Sequence, residues 1–107
     1  MESQFARQCM IKDIKNDDVK IQIFGFVKKL VENEKFSLND NTGEIIVNIK
    51  DVAFDFEEED LVNVIGELII TMSGEKSIQA QFVQDMRNLN FSYYEKLYKL
   101  KKELLNK

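Results

Sequence analysis

The chain has 107 residues, of which 44% are hydrophobic and 32% are charged, and its formal net charge is −4 at pH 7. This length and composition are typical of one globular domain with a modest core, and no segment approaches the ~20 apolar residues of a membrane-spanning helix. The acidic balance argues against an autonomous domain that binds nucleic acid strongly, and the lone cysteine, Cys9, favours a soluble protein in a reducing, intracellular setting.

The first element with a clear pattern is a long strand over residues 19–33, VKIQIFGFVKKLVEN. Its apolar residues alternate with other residues, as in a strand with one buried face, and Gly25 in the middle indicates a bend or a bulge. Residues 1–9 lack such a pattern, so we expect a weakly ordered tail there, followed by a short strand around residues 10–14. The predicted core face of the long strand consists of Val19, Ile21, Ile23 and Val27.

A β-hairpin follows the long strand. Its two strands cover about residues 35–40 and 44–50, because apolar residues recur at every second position on both sides of the sequence NDNTG. We expect Gly43 to adopt a positive φ, which glycine does at little cost, and Asp40 and Asn41 to bond their own backbone, so this sequence predicts the turn.

An acidic connector separates the hairpin from two further strands. Residues 51–60, DVAFDFEEED, hold six carboxylates and no base, and we interpret them as a solvated link because they lack the ligand pattern of a calcium loop. A long strand over residues 61–72 again contains a central glycine, Gly66. The last strand covers residues 77–84 and is expected to place three apolar residues on one face: Ile78, Ala80 and Phe82.

Five strands, two of them long and interrupted by glycine, are typical of a small closed barrel, because such strands bend to serve both of its sheets. The sequence therefore predicts an all-β fold with a terminal helix. We expect a five-stranded Greek-key barrel of the oligonucleotide/oligosaccharide-binding (OB) type. This single domain is expected to cover residues 10–107, with its C-terminal helix at about residues 92–105.

The C-terminal helix carries two apolar strips. Ser92 and Glu95 have the spacing of a capping box at its start. One strip has the heptad-like spacing of helix–helix packing, and together the two cover more of the circumference than one contact usually requires. We predict that one strip rests on the barrel and the other binds a partner protein, either way round. The first strip is Tyr93, Leu97, Leu100 and Leu104, and the second is Tyr94, Tyr98 and Leu105.

Four segments in this order have a counterpart in a known family: VKIQIFGFVKKL, FSLNDNTGEIIVNI, LVNVIGELII and SIQAQFVQDMRNLNFSYYEKLYKL. Together they resemble the middle subunit of replication protein A and the related subunit of the telomeric CST complex, over about residues 10–107. The resemblance implies a subunit of a heteromeric complex that binds single-stranded DNA. It also implies a C-terminal helix that bundles with helices of the partner subunits, and a barrel that contributes modestly to DNA binding.

Candidate nucleic-acid-binding residues lie on the strands of the predicted barrel and beside them. Base stacking is a main source of sequence-tolerant affinity, but the third strand and the end of the fourth, where the family stacks bases, have no aromatic residue here. The first strand offers two phenylalanines instead, among lysines that we expect along one groove. Alternatively, the phenylalanines pack in the core or under the terminal helix, and the lysines form an ordinary solvated face. The candidates are Lys20, Phe24, Phe26, Lys28, Lys29, Lys35 and Lys50.

No pattern in the sequence predicts catalysis. The chain has no histidine, no phosphate-binding glycine loop, no nucleophile elbow and no Cys/His metal spacing, so we expect no enzyme and no cofactor. Two functions remain. The first is a non-catalytic subunit of a complex like replication protein A, which assembles through its helix and binds single-stranded DNA weakly. The second is an OB-fold interaction subunit that braces a polymerase or another nucleic-acid machine without touching nucleic acid. Neither involves a membrane or a small-molecule substrate.

Overall fold

The computed structural model describes residues 6–31 and 34–105. In chain order, the elements are β1 (Arg7–Gln8), a turn of 3-10 helix (Ile11–Asp13), β2 (Lys20–Val31), β3 (Lys35–Asn39), β4 (Glu44–Asn48), β5 (Leu61–Ile70), β6 (Lys76–Asp85) and α1 (Phe91–Leu105). The predicted ends of the five long strands and of the helix agree with these bounds to within about two residues. The predicted strand residues 32–33 lie outside the described part of the chain.

Strands β2 to β6 close into a barrel. Each strand is hydrogen-bonded to the next in the order β2-β3-β4-β6-β5, and β5 returns to pair with β2. All of these pairs are antiparallel except β4 with β6. The predicted fold class, an OB-type barrel followed by a terminal helix, is therefore confirmed.

Strand β2 serves both sides of the barrel. It pairs with β5 from Lys20 to Phe26 and with β3 from Phe26 onwards, so the strand changes partner next to Gly25. A Cβ atom at Gly25 would lie 2.9 Å from the carbonyl oxygen of Asn39. The predicted inward face of β2 is buried at Ile21, Ile23 and Val27, whereas Val19 precedes the strand and is 64% exposed.

A bulge between β5 and β6 changes which side chains face the core. Ile65 pairs with Phe82 and Gly66 pairs with Ala80, so Gln81 has no partner on β5. One extra residue reverses the side-chain alternation beyond it. The prediction that Phe82 shares the inward face is wrong for this reason: Phe82 is 63% exposed, and Val83 packs against the core instead.

The acidic connector also covers part of the core. Val52, Phe54 and Phe56 pack against the core, and the ring of Phe54 stacks on Phe36 with centroids 5.1 Å apart. The alternate positions, such as Asp55 and Glu57, are exposed. Interpreting residues 51–60 as a solvated link is therefore wrong for these three apolar side chains, since their alternation with the acids places one face of an extended segment on the core.

The N-terminal segment is attached to the barrel in the part that the structure describes. β1 pairs in parallel with β2, and Cys9 and Met10 are buried. The predicted strand at residues 10–14 is wrong, because a 3-10 turn occupies Ile11–Asp13. Asp40, in the β3–β4 turn, is fully buried and accepts a hydrogen bond from the backbone N–H of Ile11 at 2.7 Å. The remainder of the predicted tail, residues 1–5, lies outside the described residues.

Candidate partner surface and nucleic-acid groove

Helix α1 begins at Phe91 and is capped by Asn90. The side-chain oxygen of Asn90 accepts a hydrogen bond from the backbone N–H of Tyr93 at 3.1 Å, as an N-cap residue does. The predicted capping box at Ser92 is wrong, because the helix starts one residue before Ser92. This start places Phe91 in the first turn, where its side chain is buried.

Aromatic rings seat α1 on β2. Tyr94 stacks on Phe24 with ring centroids 4.7 Å apart and an interplanar angle of 18°, and Phe91 meets Phe26 edge to face at 5.1 Å. Both phenylalanines therefore pack under the terminal helix, which is one of the alternatives that the sequence left open. The contact of Phe24 with Tyr94 covers the ring face that a base would need for stacking on that side.

A strip beside the aromatic contacts of α1 remains largely exposed. Its four side chains are between 41% and 61% exposed, although each is largely apolar. We call this surface the outer strip; it consists of Tyr93, Leu97, Leu100 and Leu104. Tyr94 and Tyr98 of the second strip face the barrel and the N-terminal segment, whereas Leu105 at the end of α1 is 81% exposed.

Polar contacts join α1 to the N-terminal segment, and we call these contacts the clasp. Tyr98 donates a hydrogen bond to Asp13 at 2.7 Å and accepts one from the backbone N–H of Met10 at 3.2 Å. Lys102 binds the other carboxylate oxygen of Asp13 at 2.7 Å. One turn earlier in the helix, the side chain of Gln8 donates to the hydroxyl of Tyr94 at 3.3 Å.

The clasp shifts the pKa values of its members. Burial alone would raise the pKa of Asp13, but the hydrogen bonds from Lys102 and Tyr98 together hold it below its usual value. Burial and the bond to Asp13 raise the pKa of Tyr98 to about 12. Beside the clasp, the guanidinium of Arg7 binds both carboxylate oxygens of Asp18, and these hydrogen bonds lower the pKa of Asp18. Asp13 and Asp18 are therefore ionised, and Tyr98 is protonated, at neutral pH.

A shallow groove runs over β3 and β4 towards the β5–β6 turn. OB barrels bind oligonucleotides on this face, between the corresponding loops. Its lining contains two lysines, two glutamates and no aromatic residue among the side chains that the structure describes. The lining residues are Lys35, Ser37, Glu44, Ile45, Ile46, Asn48, Thr71, Glu75, Lys76 and Ser77.

Glu44 keeps its negative charge in this groove. Its carboxylate accepts hydrogen bonds from Asn39 at 3.0 Å and from Ser37 at 3.1 Å, and these bonds lower its pKa. The two glutamates therefore offset the charge of the two lysines, and stacking on an aromatic ring is not available. We infer that the groove favours contacts with a polar chain over strong binding of a phosphate backbone.

The predicted lysines do not converge on the groove. Lys35 lines it, whereas the ammonium of Lys28 lies 2.8 Å from the carboxylate of Glu59 in the connector. Lys20 lies opposite Glu67 in the register of β2 with β5, on a different side of the barrel from β3 and β4.

The other two lysines lie at irregular points of the backbone. Lys29 has a φ of 47° where the register of β2 and β3 shifts, and Lys50 is exposed in the turn after β4. Neither is among the residues that line the groove. Together with Phe24 and Phe26 under α1, the seven candidates are thus distributed over several surfaces.

Sequence reasoning missed several residues of these surfaces. Lys76, the first residue of β6, lines the groove, but the predicted strand began at residue 77. Asp13 contacts α1 through Tyr98 and Lys102, and Arg7 donates a hydrogen bond to the backbone carbonyl oxygen of Asp13. Both residues lie in a segment that has no regular periodicity, so no local signal identifies them. Asn90 was recognisable, since asparagine is among the best N-cap residues, but Ser92 offered a competing cap.

The described residues show no arrangement suited to a metal ion or to covalent catalysis. Within residues 6–31 and 34–105, no group of three or more Cys, Asp or Glu side chains converges on one point. Cys9 is fully buried, and burial raises the pKa of its thiol to about 11, so the nucleophilic thiolate is scarcely populated at neutral pH. α1, the one α-helix in the described residues, is neither long nor apolar enough to cross a bilayer.

Solved structures of known proteins share this fold. The S. pombe Stn1–Ten1 complex contains a chain that matches with a TM-score of 0.74 at 15% identity, over 95% of this chain and 96% of that one. A Replication Protein A heterotrimer bound to single-stranded DNA matches with a TM-score of 0.62 at 19% identity, over 81% of this chain and 73% of that one. The E. coli hypothetical protein ygiW matches with a TM-score of 0.62 at 15% identity, over 79% of this chain and all of that one.

At these identities the likeness establishes the OB fold with its terminal helix, in agreement with the resemblance found in the sequence. No protein-family model matches the chain, and no curated protein matches it either.

Proposed function

We propose that this protein is a non-catalytic subunit of a heteromeric complex that binds single-stranded DNA, and that it assembles through α1. The exposed outer strip is the observation that carries the proposal. Full burial of an exposed Leu or a comparable side chain is worth about 1.5–3 kcal/mol, so covering the exposed half of four such residues favours a helix–helix contact. The structures with the same fold support the proposal, since two of them come from multi-subunit assemblies, one of them bound to single-stranded DNA.

The assembly role is tested by placing charges in the outer strip. Leu97→Asp with Leu100→Asp should abolish association with the native partner subunits, because a charge buried between two chains costs several kcal/mol. Sizing of the co-expressed complex measures the association, and circular dichroism reports whether the barrel stays folded. Lys99→Asp with Glu103→Asp is the matched control, because it places two aspartates on the exposed polar flank of the same helix. Unchanged association of the Leu variant would exclude the outer strip as the interface.

We further propose that the barrel contributes weakly to DNA binding through the β3–β4 groove. Lys35 and Lys76 supply the positive charge there, but two glutamates and the lack of an aromatic ring limit the affinity. We therefore expect micromolar or weaker binding of a single-stranded oligonucleotide, falling steeply with added salt. Fluorescence anisotropy measures this affinity. Lys35→Glu with Lys76→Glu should abolish the binding, whereas Lys96→Glu with Lys99→Glu on α1 should reduce it only slightly.

The second candidate function is a protein-interaction subunit that does not touch nucleic acid. It is favoured by one specific observation: the aromatic rings on the outward side of β2, Phe24 and Phe26, pack under α1. If the oligonucleotide fails to bind at low salt while the outer strip still mediates association, this second function replaces the first. Equal loss of binding in the groove variant and in the α1 variant would instead indicate non-specific attraction to lysine.

A further inference from the structure

A second groove lies between the N-terminal segment and the C-terminal half of α1. Its floor is formed by apolar parts of the helix, and its rim holds four cations and one carboxylate. The residues that line it are Arg7, Gln8, Asp13, Lys15, Tyr94, Leu97, Tyr98, Lys101, Lys102 and Leu105. In a chain of net charge −4, such an excess of cations around one groove requires an explanation.

Two of the four cations are neutralised inside the fold. Arg7 binds both carboxylate oxygens of Asp18 at 2.8 and 2.7 Å, and Lys102 binds Asp13 at 2.7 Å. The second oxygen of Asp13 accepts the hydrogen bond from Tyr98. The only carboxylate on the described rim is therefore fully engaged, and it does not offset the remaining positive charge.

Lys15 and Lys101 supply that remaining charge. Both side chains are exposed, and neither forms an ion pair with any residue in the described part of the chain. Lys101 lies one helical turn from both Leu97 and Leu105, so it stands between two apolar residues of the floor. Leu97 belongs to the outer strip as well, which makes the groove continuous with the surface proposed for assembly.

From this arrangement we propose that the groove binds an acidic, amphipathic segment of the partner subunit. Apolar side chains of that segment cover Leu97 and Leu105, and its carboxylates pair with Lys15 and Lys101. This inference rests on the proposed function, because it specifies the chemistry of the partner at the same helix.

Two other occupants fit the groove less well. The ring of Tyr94 is stacked on Phe24, which covers one of its faces, and the hydroxyl of Tyr98 is bonded to Asp13. A nucleic-acid strand would therefore find fewer ring faces for stacking here than two free aromatic rings provide. A second copy of α1 would bring four lysines and two glutamates against the same four lysines and two glutamates, which is unfavourable. An acidic segment has neither disadvantage.

The test uses the full chain and two synthetic helical peptides. Both peptides carry leucines on one face; one has glutamates beside them and the other has glutamines in their place. We expect the glutamate peptide to bind about tenfold more tightly at low salt, as two partly exposed ion pairs would give, and the difference to shrink in high salt. Lys15→Glu with Lys101→Glu should remove this preference. Lys96→Glu with Lys99→Glu, which makes the same change of charge on the polar flank of α1, should retain it.

Each other outcome is decisive. Equal binding of the two peptides overturns the inference. If Leu97→Asp with Leu100→Asp then abolishes the binding of both peptides, the proposed assembly role stands. Failure of both peptides to bind also overturns the inference, and the assembly role is then judged from the complex with native partners. If the isolated chain dimerises and Lys15→Glu with Lys101→Glu alters the dimerisation, the groove binds a second copy of the chain. If this variant alone loses oligonucleotide binding, the groove binds nucleic acid.

Discussion

Gly66 occupies the closest approach between two strands of the barrel. A Cβ atom there would lie 2.3 Å from the carbonyl oxygen of Gln79, which is backbone and unable to rotate away. We expect Gly66→Ala to lower the free energy of unfolding by about 3 kcal/mol or more, since overpacking of a well-packed site typically costs 1–3 kcal/mol. Urea denaturation measures the loss. Glu67→Ala, at the exposed neighbouring position, should change stability by less than about 0.5 kcal/mol; similar losses at both sites would contradict the close contact.

Asp13 should make stability sensitive to acid. Its pKa is lower in the folded protein than in the unfolded chain, where it is about 3.9. The unfolded chain therefore binds more protons as the pH falls below about 5, so the stabilisation present at neutral pH is lost as the pH falls through the folded pKa. We expect Asp13→Asn to be less stable than the native protein at neutral pH and to lose less stability in acid.

Urea denaturation between about pH 6 and pH 2 compares the two slopes. Asn16→Ala is a control that changes no titratable group in the same region. Parallel curves for the native protein and Asp13→Asn would show that the contacts of Asp13 with Lys102 and Tyr98 do not favour its ionised form.

Several residues show where prediction from sequence reaches its limit. The inward positions Ile21, Ile23 and Val27 were predictable, because alternation along one strand is a local signal. The packing of α1 on Phe24 and Phe26 was not predictable from local sequence, since the helix lies about 70 residues further along the chain. Arg7 and Asp13 lie in a segment without periodicity, and their roles exist only through contacts with α1 and with Asp18.

The elements themselves were largely predictable, but their junctions were not. The strands and α1 follow from periods of two and 3.6, whereas the bulge opposite Gly66 depends on the pairing of two strands and on neither alone. The same holds for the connector, whose acidic composition concealed the alternation of Val52, Phe54 and Phe56 against the core.

The bulge leads to a direct test on β6. Phe82→Asp should lower stability by less than about 1 kcal/mol, because the side chain is mostly in solvent. Val83→Asp should cost several kcal/mol or prevent folding, since it places a charge against the core. Thermal unfolding followed by circular dichroism measures both. The opposite order would mean that β6 pairs without the extra residue.

The start of α1 gives a second test at this level. Asn90→Ala should destabilise the protein by about 1 kcal/mol, because it removes the side-chain acceptor for the N–H of Tyr93. Ser92→Ala, within the first turn and exposed, should have an effect below about 0.5 kcal/mol. A larger effect of Ser92→Ala than of Asn90→Ala would show that Ser92 caps the helix, as its spacing with Glu95 suggests.

Taken as a whole, the described part of the molecule is a barrel with the N-terminal segment and α1 in contact on its outside. The clasp joins Gln8 to Tyr94 and Asp13 to Lys102, across separations of 86 and 89 residues in sequence. Contacts this remote along the chain require loop closure over most of its length, so we expect them to form late in folding. A chain still emerging from the ribosome cannot make them until α1 has been synthesised.

The clasp should therefore slow the unfolding of the protein without changing its rate of refolding. We expect Tyr98→Phe, which removes the hydroxyl bonded to Met10 and Asp13, to lower stability by about 1 kcal/mol. Nearly all of this change should appear as faster unfolding, with the refolding rate unaltered, because the contacts are absent from the transition state. Stopped-flow measurements over a range of urea concentrations separate the two rates. Slower refolding in proportion to the lost stability would instead place the contact of the N-terminal segment with α1 among the first events of folding.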